Sequence, residues 1–509
     1  MRPRALALAL AAPLPLLVSL SGPAHASGTS VVVQTCASSG LTPATVVSGP
    51  CGGDILSAVY TGLVEYDPVT AAPRYAVASA ITTRDNRSFT IKLRKGWTFH
   101  DGTQVKARNF VNAWKLVAKP SSPNSYYFAD VKATKVVNDL TFTVTLRRPS
   151  ASFVSRLGWA AFVPLPDSVL KHPATLGTHP VGNGPFKVVS WSPGNAVVVE
   201  KYAGYKGAHR AQVDRITYRT YATITAYDEV VAGTADITAV PPEKLGSVRS
   251  DLGGRVIDRP AAAVATLNFP MKFKGVANAD FRKAISMAFD RKKITDAVFQ
   301  GGRLPAGSFT PPTVYGGSRH TCGKLCAYDP AAARKLLARA RKAGFHPPKT
   351  LPLYYNTDGA HGTWTKAVAA DITATFKGQI KAVAVSRPTF SGIIDSIESG
   401  AVKGPFRQAW IADYPHIENF LTPSYWSRGS SNYGHYRSAA VDRLLDAANR
   451  QVSPARAVAA FRRAEAQVVR EMPAIPLWYY RDTVGWSSAV TGLKLSPFGW
   501  VLPWSIKAA

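Results

Sequence analysis

The chain is short of acid. Its 509 residues carry 31 Asp and Glu against 61 Lys and Arg, a formal charge of +30 at pH 7 with an isoelectric point near 10.1. Such a surface is soluble and attracts anionic polymers through its long-range field, but says little about fold. The bases are spread along the whole chain instead of gathering in one arm or helix, so a nucleic-acid partner is not expected. Groups such as Arg334-Lys335, Arg339 and Arg341-Lys342 read as solvated helix faces. Cysteine is scarce, at four residues. A chain long enough for about three domains has no need of a disulfide-stapled mini-fold. With 46% hydrophobic and 18% charged residues, wholesale disorder is excluded as well.

Motifs that bring a mechanism are also missing. There is no G-x-x-x-x-G-K-[ST], no H-E-x-x-H, no G-x-S-x-G and no G-x-G-x-x-G. The ten His are scattered, with none spaced to share a helical face, and no close carboxylate pair offers acid/base chemistry. No catalytic residue, metal site or cofactor is therefore expected, and the chain is not read as an enzyme. No 20- to 50-residue repeat is visible, which argues against solenoids and propellers. Past the N-terminus no apolar run reaches membrane-spanning length.

That N-terminus has its own pattern. Arg2 and Arg4 precede an apolar stretch, Ala5 to Leu20, and Ala24-His25-Ala26 has the small-x-small form of an export cleavage site. Residues 1–26 are expected to be a cleaved signal. Removing Arg2 and Arg4 from the total leaves a mature charge of +28. Cys36 lies too far downstream to carry a lipid anchor, so a soluble extracytoplasmic protein is expected in the periplasm, the cell envelope or the medium. The cysteines suit an oxidising compartment. Four allow three pairings; local closure, Cys36 with Cys51 and Cys322 with Cys326, is the expectation, and a zinc site is not.

Strand and helix patterns alternate throughout. Ser88–Leu93, Leu140–Leu146 and Ala196–Val199 predict strands. Phe281–Phe289, Val441–Ala448 and Ala455–Val469 predict amphipathic helices. A further helix opens at Asp329-Pro330, with Asp as cap and Pro in the first turn, and stops at Gly344. The class is mixed α/β, or α+β.

Several segments, in order, resemble the family 5 solute-binding proteins that serve ABC importers of peptides and nickel chelates. They are Tyr60-Thr-Gly-Leu-Val64, then Phe89–Arg94 followed by Gly96-Trp-Thr-Phe-His-Asp-Gly102. Gly182-Asn-Gly-Pro-Phe186 and Ala232–Ile237 follow, then Phe281–Ile285 with Ala288-Phe-Asp-Arg291, and Tyr328-Asp329-Pro330 through Phe345. The series closes with Trp410-Ile-Ala-Asp-Tyr-Pro415, Asn419-Phe-Leu421 and Pro473–Leu477. Asn109 stands where the family commonly has an acid.

The resemblance implies a two-lobed clamp with an additional domain inserted in the first lobe. Lobe I would comprise 27–66, 181–270 and 477–509, the inserted small domain 67–180, and lobe II 271–476. It also implies a non-catalytic importer component that takes short peptides and docks on a membrane ABC permease. Asp413 occupies the place of the aspartate that pairs with a peptide's α-ammonium, although an Asp-Tyr-Pro turn explains it too. Trp410 either walls the cleft or fills the core. Arg407 either answers a carboxylate or faces solvent. Backbone from Ala409 through Ala412 to Asp413 offers strand pairing to an extended peptide, and Tyr433 offers a hydroxyl. Alternatives are a nickel chelate, with His416 and His435 as candidate ligands, an anionic solute, or an envelope adhesion protein that keeps the clamp. The basic surface suggests anionic cell-envelope polymers as partners, and a monomer is expected.

Overall fold

Local chemistry dictates most of the elements. Phe89, Ile91 and Leu93 point inward while Ser88, Thr90 and Lys92 point outward, giving the strand Ser88–Leu93. It pairs antiparallel with Ala78–Thr83 and Thr141–Leu146, and Val131–Asn138 completes a four-stranded sheet. The helix Ala107–Val117 lies on this sheet and buries Phe110, Val111 and Trp114. Asp329 caps Pro330–Lys342 by accepting from the Ala332 N–H, and Gly344 follows at φ +82°, where only glycine is unstrained. Arg334, Arg339 and Arg341 on that helix are exposed. The computed structural model describes residues 28–36, 40–42, 52–172, 180–221 and 223–509. The signal segment and Cys51, and with it the Cys36–Cys51 pairing, lie outside the described residues. Among those described, no helix is long and apolar enough to cross a membrane.

The fold is mixed α/β, built as two halves. One half holds Ser30–Thr35, Arg215–Thr220, Ala196–Lys201 and Phe186–Ser192 side by side. Its core is continuous with that of the four-stranded domain: Val31, Tyr60, Phe89, Phe142, Phe186 and Leu495 belong to one apolar cluster. The other half has its own cluster, including Phe281, Leu337, Leu353, Phe461 and Leu477. Its sheet orders Lys381–Arg387, Thr350–Asn356 and Phe406–Ile411. In it, Cys322 and Cys326 form a disulfide with 5.6 Å between Cα atoms.

Two long antiparallel strands, Val256–Asn268 and Ala474–Trp486, cross from one half to the other. Val256–Pro260 pairs with Arg481–Gly485 in the first half, and Val264–Asn268 with Ala474–Tyr479 in the second. Register slips between Pro260 and Val264, and again opposite Pro476. Proline has no N–H to give a ladder, so these irregularities fall where the sequence removes donors. Ion pairs Asp258–Arg481 and Arg259–Asp482 clamp the strands just before the slip.

Two arginines, one in the predicted helix Phe281–Phe289 and one just after it, are not solvated. Arg282 and Arg291 are each 3% exposed. Arg282 donates to the carbonyls of Val276, Ala277, Glu471 and Met472, and Arg291 to those of Ser286, Cys326 and Pro476. Burial lowers their pKa values to about 10 and about 9. Here planar guanidinium groups satisfy chain ends that would otherwise be buried without donors.

Candidate functional site

The strand Phe406–Ile411 pairs along one edge with the crossing strand, from Ala263↔Ile411 to Asn268↔Phe406. Along the other edge it meets Thr350–Asn356 only at Phe406. Beyond Phe406 that second edge has no strand partner among the described residues, and Ile411 on it is 61% exposed. An unpaired edge is a template for another extended chain.

The chain then turns at Ala412–Pro415. Ala412 is buried, and its N–H donates to the Ala262 carbonyl at 2.9 Å. Its amide is thus spent on closing the turn, and the open edge ends at Ile411. Asn419 organises the loop. Its Oδ1 accepts from the Asp413 N–H at 2.9 Å and from Trp410 Nε1 at 3.1 Å, and its Nδ2 donates to Asp413 Oδ2 at 3.1 Å. Trp410 is half-buried and packs on a small cluster with Val264, Ala412 and Phe420.

Asp413 is held from a second direction. Tyr126, 287 residues away in the four-stranded domain, donates its hydroxyl to Asp413 Oδ1 at 3.3 Å. Burial raises the Asp413 carboxyl above its usual range, opposed by the bonds from Asn419 and Tyr126 and by the Arg156 charge. No Lys or Arg lies within 4.0 Å of it among the described residues. The arrangement is a fixed, partly desolvated carboxylate with no cation on it.

Arg407 lies at the other end of the same strand. It is half-buried and donates to Asn356 Oδ1 at 3.0 Å, with its guanidinium 5.5 Å from the Phe390 ring. Burial lowers its pKa, against the influence of Tyr480 and Asp358. Arg303 stacks 4.1 Å over the same Tyr480. His361 is close enough to feel Arg407, and burial together with that charge pushes its pKa down to about 4. Trp364 donates to His361 Nδ1 at 3.2 Å, which places the proton of the neutral ring on Nε2. Tyr433 sits edge-on to Phe390 at 5.8 Å, on the Arg407 side and away from Asp413.

The candidate residues therefore fall in two groups, Asp413, Trp410 and Ala412 at one end and Arg407 and Tyr433 at the other. Sequence reasoning missed Tyr126, His361, Arg303 and the fixing role of Asn419. Only Asn419 left a signal, as the Asn-Phe-Leu segment six residues past Asp413.

The two candidate histidines have structural partners. His416 is 2% exposed, accepts the Glu418 N–H on Nδ1, and packs against Tyr315 and Phe461. His435 Nε2 lies 2.8 Å from Glu398. No group of three metal-ligating side chains is found among the described residues.

On the first half, an open groove of about 1070 Å³ runs beside the crossing strand. Thr35, Asp54, Thr238, Asp482, Phe498 and Trp500 line it. Burial raises Asp54 and Asp482 each to about 6.

Comparison with known proteins adds to this geometry. A family model described as "bacterial extracellular solute-binding proteins, family 5 Middle" matches residues 72–432. The chain is 25% identical over 464 residues to the oligopeptide-binding protein OppA of Bacillus subtilis, covering 85% of this chain and 84% of that one. It is 26% identical over 420 residues to a probable deoxycholate-binding periplasmic protein, YgiS, of Escherichia coli, covering 77% of each. Its fold matches the murein tripeptide-binding protein MppA in an unliganded open form. The TM-score is 0.84 at 22% identity, over 95% of this chain and 98% of that one.

Proposed function

The chain belongs to family 5 of the bacterial extracellular solute-binding proteins, and from that premise we propose that it captures short peptides for an ABC importer, without catalysis. The observation that carries this reading is Asp413: a fixed, half-buried carboxylate with no Lys or Arg within 4.0 Å among the described residues, at the end of a strand edge that has no strand partner among them. An α-ammonium supplies the missing charge, and an extended peptide backbone supplies the missing strand. Tyr126 reaches the same carboxylate from the four-stranded domain, so the ligand's amino end would contact two parts of the molecule.

Arg407, with His361 and Arg303 nearby, is suited to the peptide's carboxylate. Arg407 and Asp413 are six positions apart, at most roughly 20 Å between Cα atoms. An arginine side chain reaching inward leaves room for a peptide of about three to five residues. A zwitterionic chain satisfies both ends, whereas a purely anionic solute would leave Asp413 unpaired. A nickel chelate is less suited, because His416 and His435 already have partners.

Capture would proceed by closure. The likeness to an open, unliganded relative supports an open clamp here. The crossing strands, with their slipped register after Pro260, are suited to act as the hinge. Closure would bring the groove of the first half, with Phe498 and Trp500, over the ligand, and only the closed form would dock productively on a permease. Lobe I then comprises 27–66, 181–270 and 477–509, the inserted domain 67–180 and lobe II 271–476. The mature protein would be a monomer, exported by cleavage after residue 26. Its +28 charge would hold it to anionic envelope polymers, and salt should release it from isolated envelopes.

A thermal-shift titration tests the peptide reading. A pool of short peptides should raise the melting temperature, and the same pool acetylated at its N-termini should not. Equal shifts from both pools, or none from either, would remove the role assigned to Asp413.

A further inference from the structure

A second carboxylate without a Lys or Arg partner lies in a different pocket. Glu65 stands among aromatic side chains within the first half and the four-stranded domain, in an open pocket of about 850 Å³ to which the other half contributes no lining residue. Tyr205 donates its hydroxyl to Glu65 Oε1 at 3.3 Å. Among the described residues its ion-pair partner is the His209 ring, whose Nε2 is 4.0 Å from Glu65 Oε2 and which stacks on Trp504 at 4.0 Å. Burial lifts the Glu65 carboxyl above its usual value, against the influences of His209 and Tyr205.

The wall opposite is a packed aromatic set. Trp159, Phe498 and Trp500 have centroids 4.9–5.5 Å apart, and Tyr66 meets Phe498 edge-on at 5.8 Å. The sequence builds this wall closely. A Cβ on Gly53 would fall 2.2 Å from the Trp500 ring, and one on Gly158 would fall 2.7 Å from Tyr66. Trp159 is 4% exposed, and its buried indole N–H has no acceptor among the described residues.

Aromatic faces beside one carboxylate are the chemistry that recognises an organic cation, since the ring quadrupole and the charge act together once water is displaced. We propose that this pocket is a binding site for a small organic ammonium ion, with Glu65 and the aromatic wall taking the ammonium. The site is separate from Asp413 and does not depend on the peptide reading.

Calorimetric titration of the whole protein tests it with three probes of similar shape. These are choline, tetramethylammonium, and 3,3-dimethylbutan-1-ol, the uncharged counterpart of choline. Choline and tetramethylammonium should both bind, and the neutral alcohol should bind at least about tenfold more weakly than choline. Glu65→Gln, which keeps the shape and can still accept from Tyr205, should weaken choline about tenfold or more and shrink its advantage over the alcohol. Asp413→Asn should leave all three titrations unchanged. Equal binding of choline and the alcohol, no binding of either cation at tens of millimolar, or a folded Glu65→Gln protein that binds choline like wild type would overturn the proposal.

Discussion

Asp413 and Glu418 sit five residues apart in one loop and live in opposite surroundings. Glu418 is 4% exposed, accepts from Ser152 Oγ at 2.8 Å and Tyr414 Oη at 2.5 Å, and has the Arg156 charge close by. Arg156 in turn lies 4.9 Å over the Tyr414 ring and 3.6 Å from Asp130. This network joins the four-stranded domain to the second half from within, and every charge in it has an answer. Asp413 is held as firmly, by Asn419 and Tyr126, yet receives no cation. The contrast separates two settings of a buried acid: Glu418 brings its own counter-charge and serves the architecture, while Asp413 is oriented without one, which is what the proposed peptide reading uses.

Substitutions that exchange these roles would break the comparison. The largest effect is expected from Arg156→Leu, which strands Glu418 without its cation and leaves Asp130 with Arg148 alone. Breaking such a network typically costs about 3–5 kcal/mol, read as a loss of stability in urea unfolding, while the peptide affinity of the protein that remains folded changes little. Asp413→Asn should do the reverse. Affinity for free peptides should fall by about a hundredfold or more in calorimetry, as when one partner of a desolvated charge pair is removed. The melting temperature of the unliganded protein should hold or rise, because the raised carboxyl is costly to bury.

Asp54 sharpens the same point on the other side of the molecule. It is 8% exposed and accepts from Thr35 Oγ1 and the Ile55 N–H, with a pKa pushed up to about 6 by burial. Between pH 4 and 6 the folded state therefore binds more protons than the unfolded chain, and stability falls as pH rises through that window. Asp54→Asn should stabilise the protein at pH 7.5 by up to about 3 kcal/mol, with most of the gain gone at pH 4 in thermal melts at the two pH values. The smallest effect is expected from Arg407→Gln. Its site is half-open, with Arg303 and His361 close enough to compensate, so peptide affinity should drop about tenfold, equally for free and N-acetylated peptides.

Much of this was legible in the residues. Alternation in Ser88–Leu93 and the Asp329-Pro330 cap specify their elements locally, so each folds as its sequence dictates. The loop around Asp413 was legible through its resemblance and through its position six residues after Arg407. What escaped was whatever depends on distant segments meeting. Nothing near Tyr126 points to a residue 287 positions later, and nothing near Glu65 points to Trp159 or Phe498. Composition left the place of each base open: in a chain with 61 of them, Arg282 and Arg291 are buried donors to carbonyl groups, while Arg334, Arg339 and Arg341 are exposed. Composition counts charges, and only the fold decides which are solvated.

The most direct test of the central claim is a calorimetric cycle on one short peptide, free and N-acetylated, titrated into wild type and Asp413→Asn. The account predicts that acetylation weakens binding to wild type strongly and binding to the variant scarcely at all, a coupling of about two powers of ten between the ammonium and this carboxylate. An acetylation penalty of the same size in both proteins would mean that the ammonium, if it is read at all, is read elsewhere.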